Sequence, residues 1–135
     1  MSFNVKSNGS VKELDTPADR RGYTKLYGSI GSFWTTTITL NDNIYNYSRI
    51  VIVGHNGEDD NSYKYYNLNY DVIPGLSVFI ASQLILISKG SKMAQVIIAI
   101  KNCSFSSNTI TLTGQFRESN TVNAAMVVSA IYGIK

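Results

Sequence analysis

The sequence has few of the residues that carry most enzyme and metal chemistry. Its 135 residues include one cysteine, Cys103, and one histidine, His55. A single cysteine excludes an intrachain disulfide, so the chain is expected to fold without oxidation, as in a cytoplasm. The two residues lie far apart in sequence, which argues against a zinc site, and no Gly-x-Ser-x-Gly motif supports a serine hydrolase. We expect no catalytic residue, no metal and no cofactor.

Charge is also scarce. Charged residues make up 16% of the chain, against roughly 25% in average soluble domains. The twelve basic residues are scattered, with Arg20-Arg21 the one adjacent pair, whereas a nucleic-acid binder would cluster them on one surface. The one acidic cluster, Glu58-Asp59-Asp60, could offer oxygens to Ca²⁺, but it does not match EF-hand spacing. The composition predicts no nucleic-acid partner, and it favours a solvated loop at the acidic cluster.

Long apolar runs are missing. The most apolar stretch, Leu76 to Ile87, is interrupted by Ser77, Ser82 and Gln83, so it falls short of the ~18 to 20 residues that span a bilayer. Residues 1–6 lack the apolar core of a signal peptide. We therefore expect no membrane partner, and we expect a protein found outside a cell to leave by lysis or within a particle.

Short runs of β-branched and aromatic residues, separated by turn signals, fill the chain from Gly22 to Lys135. Thr109 to Thr113 alternates as a half-buried strand does, and Arg49 to Val53, ended by Gly54, is apolar on both faces like a central strand. Leu76 to Ile80 and Leu84 to Ser88 are predicted to be two paired strands, and no segment convincingly predicts a helix. The pattern predicts an all-β, antiparallel, jelly-roll-like sandwich over residues 22–135.

Residues 1–21 have a different composition. They hold four basic and three acidic residues, and their apolar positions Val5, Val11 and Leu14 are too sparse for a core stripe. The segment is predicted to be an extended N-terminal arm or tether. One interpretation is that it docks into a neighbouring subunit, and the other is a frayed terminus. The docking arm is favoured slightly, because this segment is a large part of a short chain.

A tyrosine-rich segment follows the acidic cluster. On a strand, Tyr63 and Tyr65 would share one face, and Tyr66 and Tyr70 the other. Aromatic rings on a sheet surface can stack on sugars or fill a protein interface, and core-edge packing is the equal alternative. The predicted contact surface for a receptor or partner comprises the following residues: Asn56, Asp59, Tyr63, Tyr65 and Tyr66. Trp34, beside Phe33, is predicted to lie in the core or at a subunit contact.

One stretch resembles a known family. Leu26 to Ile52 reads LYGSIGSFWTTTITLNDNIYNYSRIVI, and the chain ends Ile131-Tyr132-Gly133-Ile134-Lys135. Both are similar to the C-terminal β-domains of phage tail fibres and minor tail proteins. The long stretch is predicted to form a strand, then an Asn-Asp-Asn turn whose side chains bond to their own backbone, and then a strand that returns to the core.

The resemblance implies a virion structural protein, assembled in the host cytoplasm, in a tail fibre or tail tip. It also implies a homo-oligomer, by default a trimer, that contacts other virion proteins and can bind a host-surface glycan or protein. It implies no catalytic residue. Two alternatives stay open: a capsid decoration or head-fibre protein, and a free-standing carbohydrate-binding module.

Overall fold

The computed structural model describes residues 2–7, 10–15, 22–56, 65–87, 92–118, 121–123 and 126–135. Near the N-terminus, β1 (Ser2–Ser7) and β2 (Ser10–Asp15) pair as an antiparallel hairpin that forms a two-stranded sheet of its own. The side chains of Val5, Val11 and Leu14 lie outside the described residues, so the docking role of this segment stays a prediction.

β-Strand is the predominant structure of the remaining described chain, as predicted. Alternation of β-branched with polar residues favours extended backbone wherever one face can be buried. One short 3₁₀ turn, Ile44–Asn46, interrupts the strands. The strands of the sandwich are β3 (Tyr23–Tyr27), β4 (Thr35–Thr39), β5 (Arg49–Asn56), β6 (Tyr65–Asp71), β7 (Phe79–Ile87), β8 (Lys92–Lys101), β9 (Thr109–Glu118), β10 (Thr121–Asn123) and β11 (Met126–Ile134).

The strands form two antiparallel sheets. One sheet has the order β3-β11-β5-β6. The other has the order β9-β8-β7, and both β4 and β10 pair with the remaining side of β9. The first strand of the sandwich, β3, therefore pairs with the last, β11, and the second, β4, pairs with β9. Early strands thus pair with late ones, as in a jelly roll. The intervening strands β5–β6 and β7–β8–β9 pair with their sequence neighbours.

The core lies between the inner faces of the two sheets. Along β9, Ile110, Leu112 and Phe116 are buried, while the threonines between them are partly exposed. Along β6, Leu68 and its even-numbered neighbours are buried and the odd-numbered residues are exposed. This period of two places one side chain in the core and the next in solvent, which confirms the sandwich.

Two strand boundaries differ from the sequence prediction. The two strands predicted between Leu76 and Ser88 are a single strand, β7, because the inward alternation continues without a break through Ala81 and Gln83. Gln83 is tolerated there because its side-chain carbonyl accepts a hydrogen bond from the backbone N–H of Asn67 at 2.6 Å. Strand β5 likewise continues past Gly54 to Asn56.

The predicted Asn-Asp-Asn turn anchors one end of the sandwich. Asp42 accepts a bond from the backbone N–H of Asn43, whose own side-chain oxygen accepts from the N–H of Tyr45. The Asn43 amide then donates to the carbonyls of Ser104 and Ser107 at 3.0 and 3.2 Å. One side chain thereby joins the β4–β5 connection to the β8–β9 connection. Backbone bonds from Val72 to Ser48 and from Cys103 to Ser77 add the β6–β7 connection. We call residues 41–48, 72–78 and 102–108 the loop end.

Asp42 should make stability pH-dependent. Bonds donated by the Tyr47 hydroxyl, the Asn43 N–H and the Asn46 amide hold the pKa of this carboxyl below its ordinary value of 3.8. A depressed folded-state pKa contributes stability above the unfolded value, and that contribution is lost as pH falls through the folded value. Urea unfolding from pH 7 to pH 2 should show Asp42→Asn less stable than wild type at neutral pH, with the difference closing in acid. A constant difference would assign the effect to packing.

Candidate contact surface

The predicted contact surface is centred on Tyr65, at the start of β6. Tyr65 pairs with His55 across the β5–β6 ladder, and its side chain is 59% exposed. The two rings meet edge to face, with centroids 5.6 Å apart. Asp59 and Tyr63 lie outside the described residues, as does the side chain of Asn56. The structure thus brings one predicted contact residue to the surface, beside the single histidine of the sequence.

Tyr66 does not belong to this surface, which corrects the prediction. Its side chain is 2% exposed, and its hydroxyl donates to the backbone carbonyl of Val127 at 2.9 Å. Tyr70 is buried on the same face, and its hydroxyl donates to the carbonyl of Ile98 at 2.9 Å. Burial raises the pKa of both phenols, so they remain protonated donors. The tyrosines of β6 therefore divide by strand face: Tyr65 is available for contact, whereas Tyr66 and Tyr70 belong to the core.

Cys103 is buried, as expected for a small side chain that fills space. Burial raises the pKa of its thiol to about 11. A thiol with such a pKa is almost entirely protonated at neutral pH, and the thiolate is the reactive form. Among the described residues, no group of three or more His, Cys, Asp or Glu side chains could hold a metal ion.

A second exposed aromatic site lies at the loop end. Phe105 is 67% exposed, and its ring stacks on that of Tyr45 with centroids 4.1 Å apart and planes at 26°. The Tyr45 hydroxyl donates to the carbonyl of Leu76. Leu76 and nearby Ile73 are each about half exposed. We call these four residues the loop-end patch, and it consists of two rings and two aliphatic side chains held in place by hydrogen bonds.

The loop-end patch could not be recognised from periodicity, because its residues lie in connections between strands. One signal was available in the sequence. Residues 72–78 and 102–108 contain no charged side chain, although surface connections are usually polar. Asn43 supplies the link that no local pattern reveals, since it binds a loop about sixty residues away. The candidate surface found by structure is therefore larger than the predicted one.

A third exposed apolar feature runs along the outer face of β7. Val78, Ile80 and Leu84 share this face, and Met93 of β8 lies near its far end. Each of these four side chains is between 44% and 68% exposed. We call them the aliphatic stripe. The sequence suggested core strands here, and only the sheet order shows that this face is uncovered.

Trp34 and Phe33 differ in their exposure to solvent. Phe33 is buried in the core, and Trp34 is 52% exposed. The backbone carbonyl of Trp34 accepts a bond from the N–H of Gly114 at 2.9 Å, which places this residue at the β4 edge of the sheet. Of the two alternatives predicted for Trp34, burial in the core is wrong, and the subunit contact stays a prediction.

Fold and surface together define an antiparallel β-sandwich whose described part exposes Trp34 and three further apolar sites: Tyr65, the loop-end patch and the aliphatic stripe. Comparison of the chain with known protein families, with curated proteins and with solved structures finds no match. The described residues contain no helix with the length and hydropathy needed to cross a membrane.

Proposed function

We propose that this protein is a structural component of a phage particle, located in a tail fibre or tail tip, where it joins other virion proteins and contacts the host surface. The observation that carries the proposal is a pair of exposed aromatic rings at opposite ends of the sandwich: Tyr65 at one end, and Phe105, which stacks on the partly buried Tyr45, at the other. Buried aromatic anchors dominate the binding energy of protein interfaces, so rings left in solvent favour a contact function.

The resemblance to phage tail β-domains supports this proposal through a folding unit. The resembling stretch runs from the end of β3 through β4 and the 3₁₀ turn into the first half of β5, and its apolar positions Leu26, Ile38 and Ile44 are buried. The Asn-Asp-Asn turn in its middle makes the bonds that join the β4–β5 connection to the β8–β9 connection at the loop end. The resembling residues thus form a continuous strand–turn–strand unit, which supports a shared domain type.

The proposal includes the N-terminal docking arm. A sandwich with contact sites at its far ends needs a separate attachment to the particle, and residues 1–21 differ in composition from the sandwich. In this proposal the arm binds a neighbouring virion protein, while the sandwich presents its exposed rings. The protein would then assemble in the host cytoplasm and leave the cell within the particle.

Immunogold electron microscopy tests the location. Antibodies against the purified full-length chain should label the tail of particles whose genome encodes it. Labelling of the head would contradict the tail assignment and support the capsid decoration alternative. Particles without label, in a preparation where a known tail protein is labelled, would contradict the virion function.

Tyr65→Ala tests the contact surface directly. The Tyr65 ring is mostly in solvent, so we expect the unfolding midpoint in urea to change little. We expect adsorption of particles to cells, or incorporation of the protein into particles, to fall about tenfold or more, as for truncation of an interface aromatic. Thr37→Ala, exposed on the outer face of the other sheet, is the matched control. Wild-type adsorption and wild-type incorporation in Tyr65→Ala would remove Tyr65 from the surface.

A carbohydrate-binding module is the second candidate, and the exposed rings of Trp34 and Phe105 favour it. Sugar rings stack on flat aromatic faces, and both side chains are more than half exposed. A glycan array probed with the purified protein would separate the candidates. Binding that Phe105→Ala or Trp34→Ala abolishes would support a lectin-like activity, and the absence of any binding would reject it.

A further inference from the structure

Strand β7 is a sheet edge whose sequence lacks the residues that usually protect against pairing. It pairs with β8 on one side, and no other described strand pairs with it. Strand β6 of the other sheet lies close by, and its Asn67 N–H donates to the inward-facing Gln83 side chain. Soluble proteins protect exposed edge strands with charged residues, proline or bulges. The sequence of β7, FIASQLILI, contains no charged residue, proline or glycine, and its register with β8 has no shift. Nine residues of edge are therefore suited to pair with another strand.

The direction of the backbone groups of β7 follows from bonds elsewhere in the sheet. Gly114 donates to the carbonyl of Trp34, and Leu40 donates to the carbonyl of Asn108, so even-numbered residues of β9 bond toward β4. In an antiparallel ladder the two sides of a strand alternate residue by residue. Odd-numbered residues of β9 therefore bond to β8. They pair with odd-numbered residues of β8, so the even-numbered residues of β8 bond to β7. Those even-numbered residues pair with odd-numbered residues of β7.

The even-numbered residues of β7 consequently direct their N–H and C=O groups to the open edge. These residues are Ile80, Ser82, Leu84 and Leu86, and the described side chains among them, those of Ile80, Ser82 and Leu84, also project from the outer face. Ile80 and Leu84 are 68% and 63% exposed, among the most exposed large apolar side chains in the described part of the chain. The same three residues thus offer unpaired backbone groups and apolar surface together.

We propose that β7 pairs antiparallel with β7 of a second copy of this chain, about a twofold axis through Ser82. This register places Ile80 opposite Leu84 of the second copy, and Ser82 opposite Ser82 of the second copy. Each pair can exchange two backbone hydrogen bonds, because both residues point their backbone groups at the shared edge. Apolar side chains meet apolar ones and hydroxyl meets hydroxyl, so the strand is complementary to itself, as a twofold interface requires.

The uncharged, aliphatic composition of this edge favours a second copy as the occupant. Each chain carries a formal net charge of +3, so two copies repel at a distance, but residues 72–87 contain no charged side chain that would oppose close contact. The stripe has no aromatic ring to stack on a sugar and no ion to pair with a charged partner. The inference deepens the proposed function by naming the surface through which copies meet, and it gives a dimer where the family resemblance implies a trimer.

Sedimentation analysis of the full-length chain with Ser82→Pro tests the pairing. Proline removes an N–H that points to the open edge, so the bonds from β7 to β8 are kept and the fold should survive. We expect wild type at twice the chain mass of 14.9 kDa and the variant at the chain mass, with a dissociation constant raised at least about 100-fold. Ser82→Ala, which keeps the N–H, should remain dimeric. A monomeric or trimeric wild type would overturn the proposal.

Crosslinking gives a second measurement that does not depend on the proline variant folding. A pair of residues facing across the twofold lies about 5.5 Å apart at Cα, within the 4.4 to 6.8 Å range of disulfides. Ser82→Cys should therefore form covalent dimers on mild oxidation, while Cys103 stays buried and protonated. Thr37→Cys, exposed on the outer face of β4, should not. Equal crosslinking of the two variants would reject the register, whatever the particle labelling shows about function.

Discussion

Gly54→Ala is expected to destabilise the sandwich by about 3 kcal/mol, since overpacking commonly costs 1 to 3 kcal/mol and a buried hydrogen bond about 1 more. A Cβ added at Gly54 would lie closer than 3.0 Å to the carbonyl oxygen of Val127 and to the hydroxyl of Tyr66. These are the two atoms of the bond that satisfies the buried phenol. Backbone oxygen cannot move aside as a flexible side chain can, so the clash has to separate β5 from β11.

Urea unfolding followed by circular dichroism measures this loss. Gly28→Ala is the matched control, because nothing lies within 4 Å of the added Cβ there. We expect the control to unfold at the wild-type midpoint, within about 0.5 kcal/mol. If Gly54→Ala were equally stable, the close approach of β5, β6 and β11 at this point would be wrong.

Phe116→Ala is expected to cost 3 to 5 kcal/mol, the range for removing a buried aromatic side chain. The Phe116 side chain is completely buried on the inner face of β9, so its removal leaves a cavity that β-strands cannot collapse to fill. Phe105→Ala removes the same atoms from a ring that is 67% exposed. It should cost no more than about 1 kcal/mol, the worth of its stacking on Tyr45.

The two phenylalanine variants separate stability from contact. Equilibrium unfolding in urea should move the midpoint strongly for Phe116→Ala and weakly for Phe105→Ala. Binding to a partner, measured by incorporation into particles, should show the reverse order at temperatures where both variants are folded. Equal loss of stability in the two variants would show that the loop-end patch is part of the core.

The three exposed sites would serve different contacts if the proposed function holds. The aliphatic stripe has open backbone groups and suits a strand, whereas Tyr65 and the loop-end patch present rings and suit side-chain recognition. Twofold pairing through β7 would join the β7-containing sheets of two copies edge to edge. A particle component with this arrangement would offer each ring site twice, and paired weak sites bind more tightly than single ones.

The candidate site could be predicted only in part. Strand alternation separates Tyr65 from Tyr66, but it does not say which face is inside, since both faces carry aromatic rings. The structure decides it, because Leu68 and Tyr70 share the face of Tyr66 and pack against the other sheet. The loop-end patch depends on contacts between residues about thirty and sixty positions apart, and such contacts leave no local periodic signal.

By itself, the sequence determined the class of fold. Period-two alternation and turn residues depend on near neighbours in sequence. They therefore predict the strand at Thr109 to Thr113, the Asn-Asp-Asn turn and the central strand that begins at Arg49. The tertiary structure decided which strands lie at the edges and which apolar faces stay uncovered. Strand β7 reads as a core strand because Ile80 and Leu84 are as apolar as Ile110 and Leu112. Its place at the end of a sheet depends on pairing between distant strands, and a strand's own residues do not encode how many neighbours it has.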